Sequence, residues 1–405
     1  MPPSKDKTPG PIAGRQSAGA VFAAFLQLGF TAFGGPVAHL GYFREAFVVR
    51  RRWLDDRAYA DLVALCQFLP GPASSQVGMA IGLSKAGPLG MLAAWVAFTA
   101  PSALALIAFG YGVTTYSEAI PHGVLHGLKI VAVAVVAQAV WGMARSLCPD
   151  RPRLTMAVLA AIAALMAPTP VTQVVIIAAG ALAGLAVLRS EESREHSRLP
   201  VTIGRGWAIA ALTLFAALLV GLPLAAAAGS SHALDLIDGF YRTGALVFGG
   251  GHVVLPLLQA EVVPTGWVGE EHFLAGYGAA QAVPGPLFTF AAYLGTVGAV
   301  APNGWAGGLI CLLAVFAPSF LLVAGALPFW EALRHRSGVR RALMGVNAAV
   351  VGLLLAALYD PVWTSAVARP ADLALALAAL AALAVWKVPP WAVVLATAAG
   401  GWLLA

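Results

Sequence analysis

Apolar residues in this chain come in long runs separated by short polar or basic loops, a pattern that predicts membrane-crossing helices. The runs cover 88–116, 121–144, 207–228, 304–327 and 342–358, and two longer ones, 154–188 and 371–404, are interrupted at Pro168-Thr169-Pro170 and near Lys387. Each run or half-run approaches the roughly 20 residues a helix needs to span the hydrocarbon core. Residues 1–17 are polar and rich in Pro and Gly, so no signal peptide is expected there and this stretch reads as a cytoplasmic tail.

Two shorter apolar segments near the start are broken by glycine and proline, and both breaks recur in the second half. Phe33-Gly34-Gly35-Pro36, Trp53 and Gln67-Phe68-Leu69-Pro70-Gly71-Pro72 are matched by Phe248-Gly249-Gly250-Gly251, Trp267 and Gln281-Ala282-Val283-Pro284-Gly285-Pro286 at an offset of 214 to 215 residues. Ala100-Pro101-Ser102 and Ala317-Pro318-Ser319 follow in the same order, so the chain is duplicated. Helix breaks at matching positions of two membrane repeats point to a transport site.

Composition and charge add sidedness. The chain is 60% hydrophobic and 10% charged, against about 25% charged for a soluble domain. Its net charge of +6 needs no nucleic acid to explain it, because the basic residues cluster at 44–57, 145–153, 189–205 and 334–341, where the positive-inside rule marks cytoplasmic loops. Loops around 112–122, 168–170, 229–239, 262–271 and 298–304 contain no Lys or Arg and should face outward. Segments 18–49 and 58–83 lie between basic residues and are broken in the middle, so they read as hairpins entering from the cytoplasm. Their counterparts, 236–262 and 271–297, lie between outer loops. The expected fold is therefore an all-α polytopic membrane protein of two inverted-topology repeats, with broken or re-entrant helices at the GG and PGP motifs. The repeats are 18–188 and 236–405, and the linker 189–235 supplies the extra helix that inverts the second copy.

Irregular backbone at membrane depth is tolerated where it lines a cavity, and a helix beginning there offers free N–H groups to an anion. Pro36, Pro72 and Pro286 suit the starts of the second arms. The candidate substrate-binding set is Gly34, Gly35, Pro36, Gln67, Pro70, Gly71, Pro72, Ser74, Ser75, Gly249, Gly250, His252, Gln281, Pro284, Gly285, Pro286 and Thr289. Lys129 and Arg242 join it because intramembrane cations mark anion sites, with snorkelling to an interface as the alternative. His39, Glu45, His252 and Glu261 are candidate proton carriers, each with a structural reading beside it. Cys66, Cys148 and Cys311 read as single thiols, and no metal or cofactor is expected.

The stretch from Phe25 to Gly82, with FTAFGGPVAHLGYF, Trp53-Leu54 and QFLPGPASSQVGMAIG, resembles the signature of the chromate ion transporter family, and FGGGHVVLPLL through AAQAVPGPLFTFAAYLG resembles its C-terminal partner. The resemblance implies chromate efflux across a bacterial plasma membrane, with sulfate as a competing look-alike. A homodimer is compatible with it. The copies differ at Pro36 against Gly251, His39 against Val254 and Lys129 against Asn347, so the site need not be symmetric. Transport of sulfate or another tetrahedral oxyanion is the alternative. A membrane enzyme is the weaker third reading, since the chain has no HExxH, CxxC, GxxxxGK[ST] or Ser/His/Asp constellation.

Overall fold

The computed structural model describes residues 14–116, 121–189, 203–229, 231–330 and 336–404. Most of the basic tail, Arg194 and Arg198 of the linker, and Arg334 lie outside the described residues.

Among the described residues all regular structure is helical. The first copy comprises α1 (Ala18–Thr31), α2 (Gly35–Phe43, continuing through a wide turn to Arg50), α3 (Asp56–Phe68), α4 (Ala73–Thr115), α5 (His122–Leu147), α6 (Arg151–Met166) and α7 (Pro170–Val187). Helix α8 (Arg205–Ala228) links it to α9 (His232–Leu246), α10 (Val254–Val262), α11 (Glu270–Ala280), α12 (Phe290–Val297), α13 (Gly304–Ala326), α14 (Ser337–Ala357), α15 (Pro370–Ala384) and α16 (Pro390–Leu404). Every element of the first copy has its counterpart in this order, with α4 matching α12 and α13 together.

That last match has a simple cause. A straight helix of 43 residues would be about 65 Å long, twice a bilayer. Helix α4 instead folds back at Ala86 and Gly87, where Gly87 has φ +66°. A Cβ on Gly82 would lie 2.2 Å from the Gly90 carbonyl, so the two halves touch backbone to backbone. In the second copy Gly295 meets Gly307 in the same way, at 2.1 Å.

The broken segments are hairpins, as the charge pattern predicts. Phe25, before the first break, stacks on Phe47 beyond it at 4.7 Å. Tyr293, after the second PGP motif, donates its hydroxyl to the His272 carbonyl before it.

Among the described residues, six helices are long and apolar enough to cross a membrane: Ala73–Thr115, His122–Leu147, Pro170–Val187, Arg205–Ala228, Gly304–Phe329 and Ser337–Ala366. The protein is a multi-pass membrane protein. Small residues set the closest helix crossings, as expected where lipid removes the hydrophobic drive between helices. Gly29 on α1 meets the Ala97 carbonyl of α4, and Gly244 on α9 meets Val315 of α13. Other crossings exchange partners between the copies. Helix α5 packs on α15 and α16 of the second copy, and α14 packs on α6 and α7 of the first. Gly123 and Gly127 of α5 abut Gly401 and Thr397, while Gly345 and Arg341 of α14 abut Gly180 and Gly184. Along α8 only Ala208 is buried, so this helix leans on α9 and α13 and turns most of its surface to lipid.

Candidate functional site

The four helix breaks meet at the centre of the molecule in a reciprocal arrangement. The Gly71 N–H donates to the Val247 carbonyl at 2.6 Å, and the Gly285 N–H donates to the Ala32 carbonyl at 2.9 Å. Each PGP motif thus caps the residue just before the glycine break of the other copy. The glycines are required by conformation and by space. Gly71 has φ +118° and Gly285 φ +98°, values L-residues avoid. A Cβ on Gly71 would sit 2.7 Å from Ser319 Oγ, and one on Gly285 would sit 2.9 Å from Ser102 Oγ. The close approach these glycines permit is therefore to a serine of the opposite copy, and for Gly71 also to Gln76 of its own, whose Nε2 would lie 2.6 Å from the Cβ. Between the two crossings, Gly251 packs against the Pro36 ring.

The duplicated Ala-Pro-Ser motif shows its purpose here. Ser102 and Ser319 are fully buried and each faces the other copy's PGP glycine. Gln76, also fully buried, donates from Nε2 to the Pro70 carbonyl at 2.6 Å and lies 3.3 Å from Ser319 Oγ. The glycine and proline motifs do not single out these residues; the repetition of Ala-Pro-Ser marks Ser102 and Ser319, and no repeat marks Gln76.

A cavity of about 70 Å³ opens where the first glycine break faces the second PGP motif. Gly34, Gly35, Pro36, Gln138, His252, Gln281 and Gly285 line it, with Val135, Ala280, Val283, Leu287, Leu383 and Pro390 as its apolar wall. This is several times the space one water requires. Gly34 and Gly35 have φ +98° and +76°, which aims the start of α2 at the cavity. A first helical turn leaves its amides without helical acceptors, and the helix dipole adds positive potential. Gln281 Nε2 is buried and has no partner, and His252 Nδ1 lies 2.7 Å from the Tyr277 hydroxyl. The cavity thus offers neutral donors and no carboxylate.

The remaining predicted residues divide around this centre. Pro72 and Pro286 occupy the cap positions just before α4 and the turn leading to α12, while Pro36 lies inside the first turn of α2. Pro284 belongs to the second PGP loop. Gln67, the counterpart of Gln281, is exposed at the end of α3. Ser74 lies 3.3 Å from His39 Nδ1, Ser75 Oγ is buried without a partner, and Thr289 donates to the Pro286 carbonyl at 2.7 Å. In the second glycine break, Gly249 and Gly250 face Met143 and Leu147 rather than an open space.

His39 is 1% exposed, and its Nε2 lies 3.1 Å from the Ala32 carbonyl that also receives Gly285. A neutral ring with Nε2 protonated satisfies both of its contacts and braces the break. Glu45 pairs with Arg50 at the surface, at 2.9 Å. Neither intramembrane cation lines the cavity: Lys129 lies 3.4 Å from Glu271, and Arg242 is held by Glu261 and Asp238.

The family model described as chromate transporter matches residues 19–185 and again 234–402. The chain is 30% identical to the chromate transport protein of Pseudomonas aeruginosa over 395 residues, covering 95% of this chain and 92% of that protein. It is 26% identical to the chromate transport protein of Cupriavidus metallidurans, covering 82% and 80% of the two chains. It is also 25% identical to an uncharacterised transporter of Methanocaldococcus jannaschii, covering 83% and 82%. No solved structure matches the chain.

Proposed function

Because the chain belongs to the chromate transporter family, we propose that it exports chromate from the cytoplasm by secondary transport and holds the anion in the cavity between the first glycine break and the second PGP motif. The observation that carries this reading is the donor set: the first turn of α2, Gln138, the unpartnered Gln281 Nε2 and His252 converge on one small space. An oxyanion there is met by hydrogen bonds in a low-dielectric setting, where each is stronger than in water. Neutral donors also suit a carrier, since they hold a dianion without the deep trap a buried lysine would create. Placement at the joint of the two copies lets a small rotation of one against the other expose the site to either side. Sulfate, with the same charge and shape, is the expected competitor, and pocket contacts should separate the two anions by only about 1–3 kcal/mol.

The test is accumulation of labelled chromate in cells. Wild type should lower it, and excess sulfate should weaken the effect. Gln281→Leu should raise accumulation to the level of cells without the protein, at equal membrane abundance. Unchanged export by both Gln281→Leu and Gln138→Leu would remove the cavity from the pathway.

A further inference from the structure

Away from the cavity, one arginine is shared by two acids. Arg242 Nε and Nη2 reach the two carboxylate oxygens of Glu261 at 3.1 and 2.9 Å, and Nη1 lies 3.2 Å from Asp238 Oδ2. The side chains are 26, 11 and 10% exposed respectively. Two carboxylates on one guanidinium leave one unit of negative charge in a largely buried place, and burying an uncompensated charge is costly. Binding one proton removes it.

The duplication shows that the fold does not need these charges. In the first copy the positions matching Asp238 and Arg242 are Ala23 and Gln27, and Glu261 falls opposite Ala46 or Phe47, where the offset passes from 215 to 214; none is charged. That hairpin closes instead by packing Phe25 against Phe43 and Phe47, at 5.5 and 4.7 Å. The same hairpin is thus built once from aromatic rings and once from a charged cluster.

We propose that Asp238, Arg242 and Glu261 form the binding site for a coupling proton, which the Asp238 carboxylate accepts. Glu261 has the two-bonded grip on the guanidinium, so Asp238 is the acid more easily released from it. Few other titratable groups face the cluster. His232 and Asp235, 3.9 Å apart, lie nearer the start of α9, and Tyr241 donates to the Phe215 carbonyl of α8. Helix α10 adds only Glu261, α13 has no acid or base besides the buried Cys311, and α8 has only Arg205 at its far end.

The cluster also has a route to the cavity. Asp238 and Arg242 lie on α9, the arm entering the second glycine break, and Glu261 lies on α10, the arm leaving it. The guanidinium ties the two arms together. Protonating Asp238 weakens that tie, and the joint it holds, Gly249 to Gly251, leads directly into His252 of the cavity wall. The cluster lies beside the 262–271 loop, which carries no positive charge and is expected outside, so the proton is taken from outside as chromate leaves.

The inference rests on the transport reading, and the experiment separates the two. Purified protein in liposomes is assayed for exchange of labelled chromate without a gradient and for accumulation driven by a pH gradient. Wild type should show both. Asp238→Asn should keep exchange within about twofold while accumulation falls at least tenfold, and Glu261→Gln serves as the second isosteric variant. Gradient-driven accumulation by both variants would overturn the proposal, as would loss of exchange together with accumulation in both. Exchange without any pH-driven accumulation in wild type would also refute proton coupling while leaving transport intact. Absence of chromate exchange in wild type would refute the transport reading itself.

Discussion

At the residue scale, the two PGP glycines show how a motif is readable before its role is. The repeated glycines and prolines mark the breaks in the sequence alone, but not that the amide inside each motif, that of Gly71 or Gly285, is spent on Val247 or Ala32. The receiving carbonyls belong to the other copy, some 175 to 255 residues away, and no local pattern reveals them. Gly71→Val and Gly285→Val should therefore lower membrane abundance and thermal stability, because each combines a positive φ with a steric clash; full abundance with lost transport would instead restore these amides to the anion. The glutamines separate the copies more cleanly. Gln67→Leu changes an exposed side chain and should leave chromate export unaltered, whereas Gln281→Leu should abolish it, as read by accumulation of labelled chromate at matched protein levels. The motif does not distinguish those two glutamines, which occupy matching places three residues before each Pro-Gly-Pro.

At the element scale, most helices can be drawn from the apolar runs with little error, and the boundary between the second hairpin and the crossing half of α4 falls between residues 83 and 88, where the Ala86-Gly87 turn lies. The partners of those helices are not readable in this way. A membrane helix is apolar on every side, so hydrophobicity carries no record of which face meets protein and which meets lipid. The small residues do carry it: Gly123 and Gly127 on α5, and Gly180 and Gly184 on α7, mark faces where backbones touch. Gly127→Val would place side-chain atoms where a Cβ alone lies 2.2 Å from the Thr397 carbonyl. Overpacking of this kind typically costs about 1–3 kcal/mol, so the purified variant should melt at lower temperature. Gly142→Ala, on the same helix with open space around it, should melt no lower than wild type.

At the scale of the whole molecule, two inverted copies require the second half of α4, α5 to α8 and α13 to α16 each to cross once, while the four broken segments return to the side they entered from. Reporter fusions should then place residues 145–153 inside, 262–271 outside and the C-terminus outside; finding 50–57 and 262–271 on the same side would rule out inverted copies. The exchange of α5 and α14 has a further consequence, which concerns synthesis rather than transport. Helix α5 leaves the ribosome more than 200 residues before α15 and α16, its packing partners, exist. Until then its Gly123 and Gly127 face lipid or a chaperone, so the first copy is unfinished when its own last residue is made. A chain truncated after Ala384 should insert normally yet leave α5 exposed, and membrane quality-control proteases should shorten its lifetime well below that of the full chain. Pulse-chase labelling measures this directly, and supplying residues 385–405 as a separate peptide should lengthen the lifetime again.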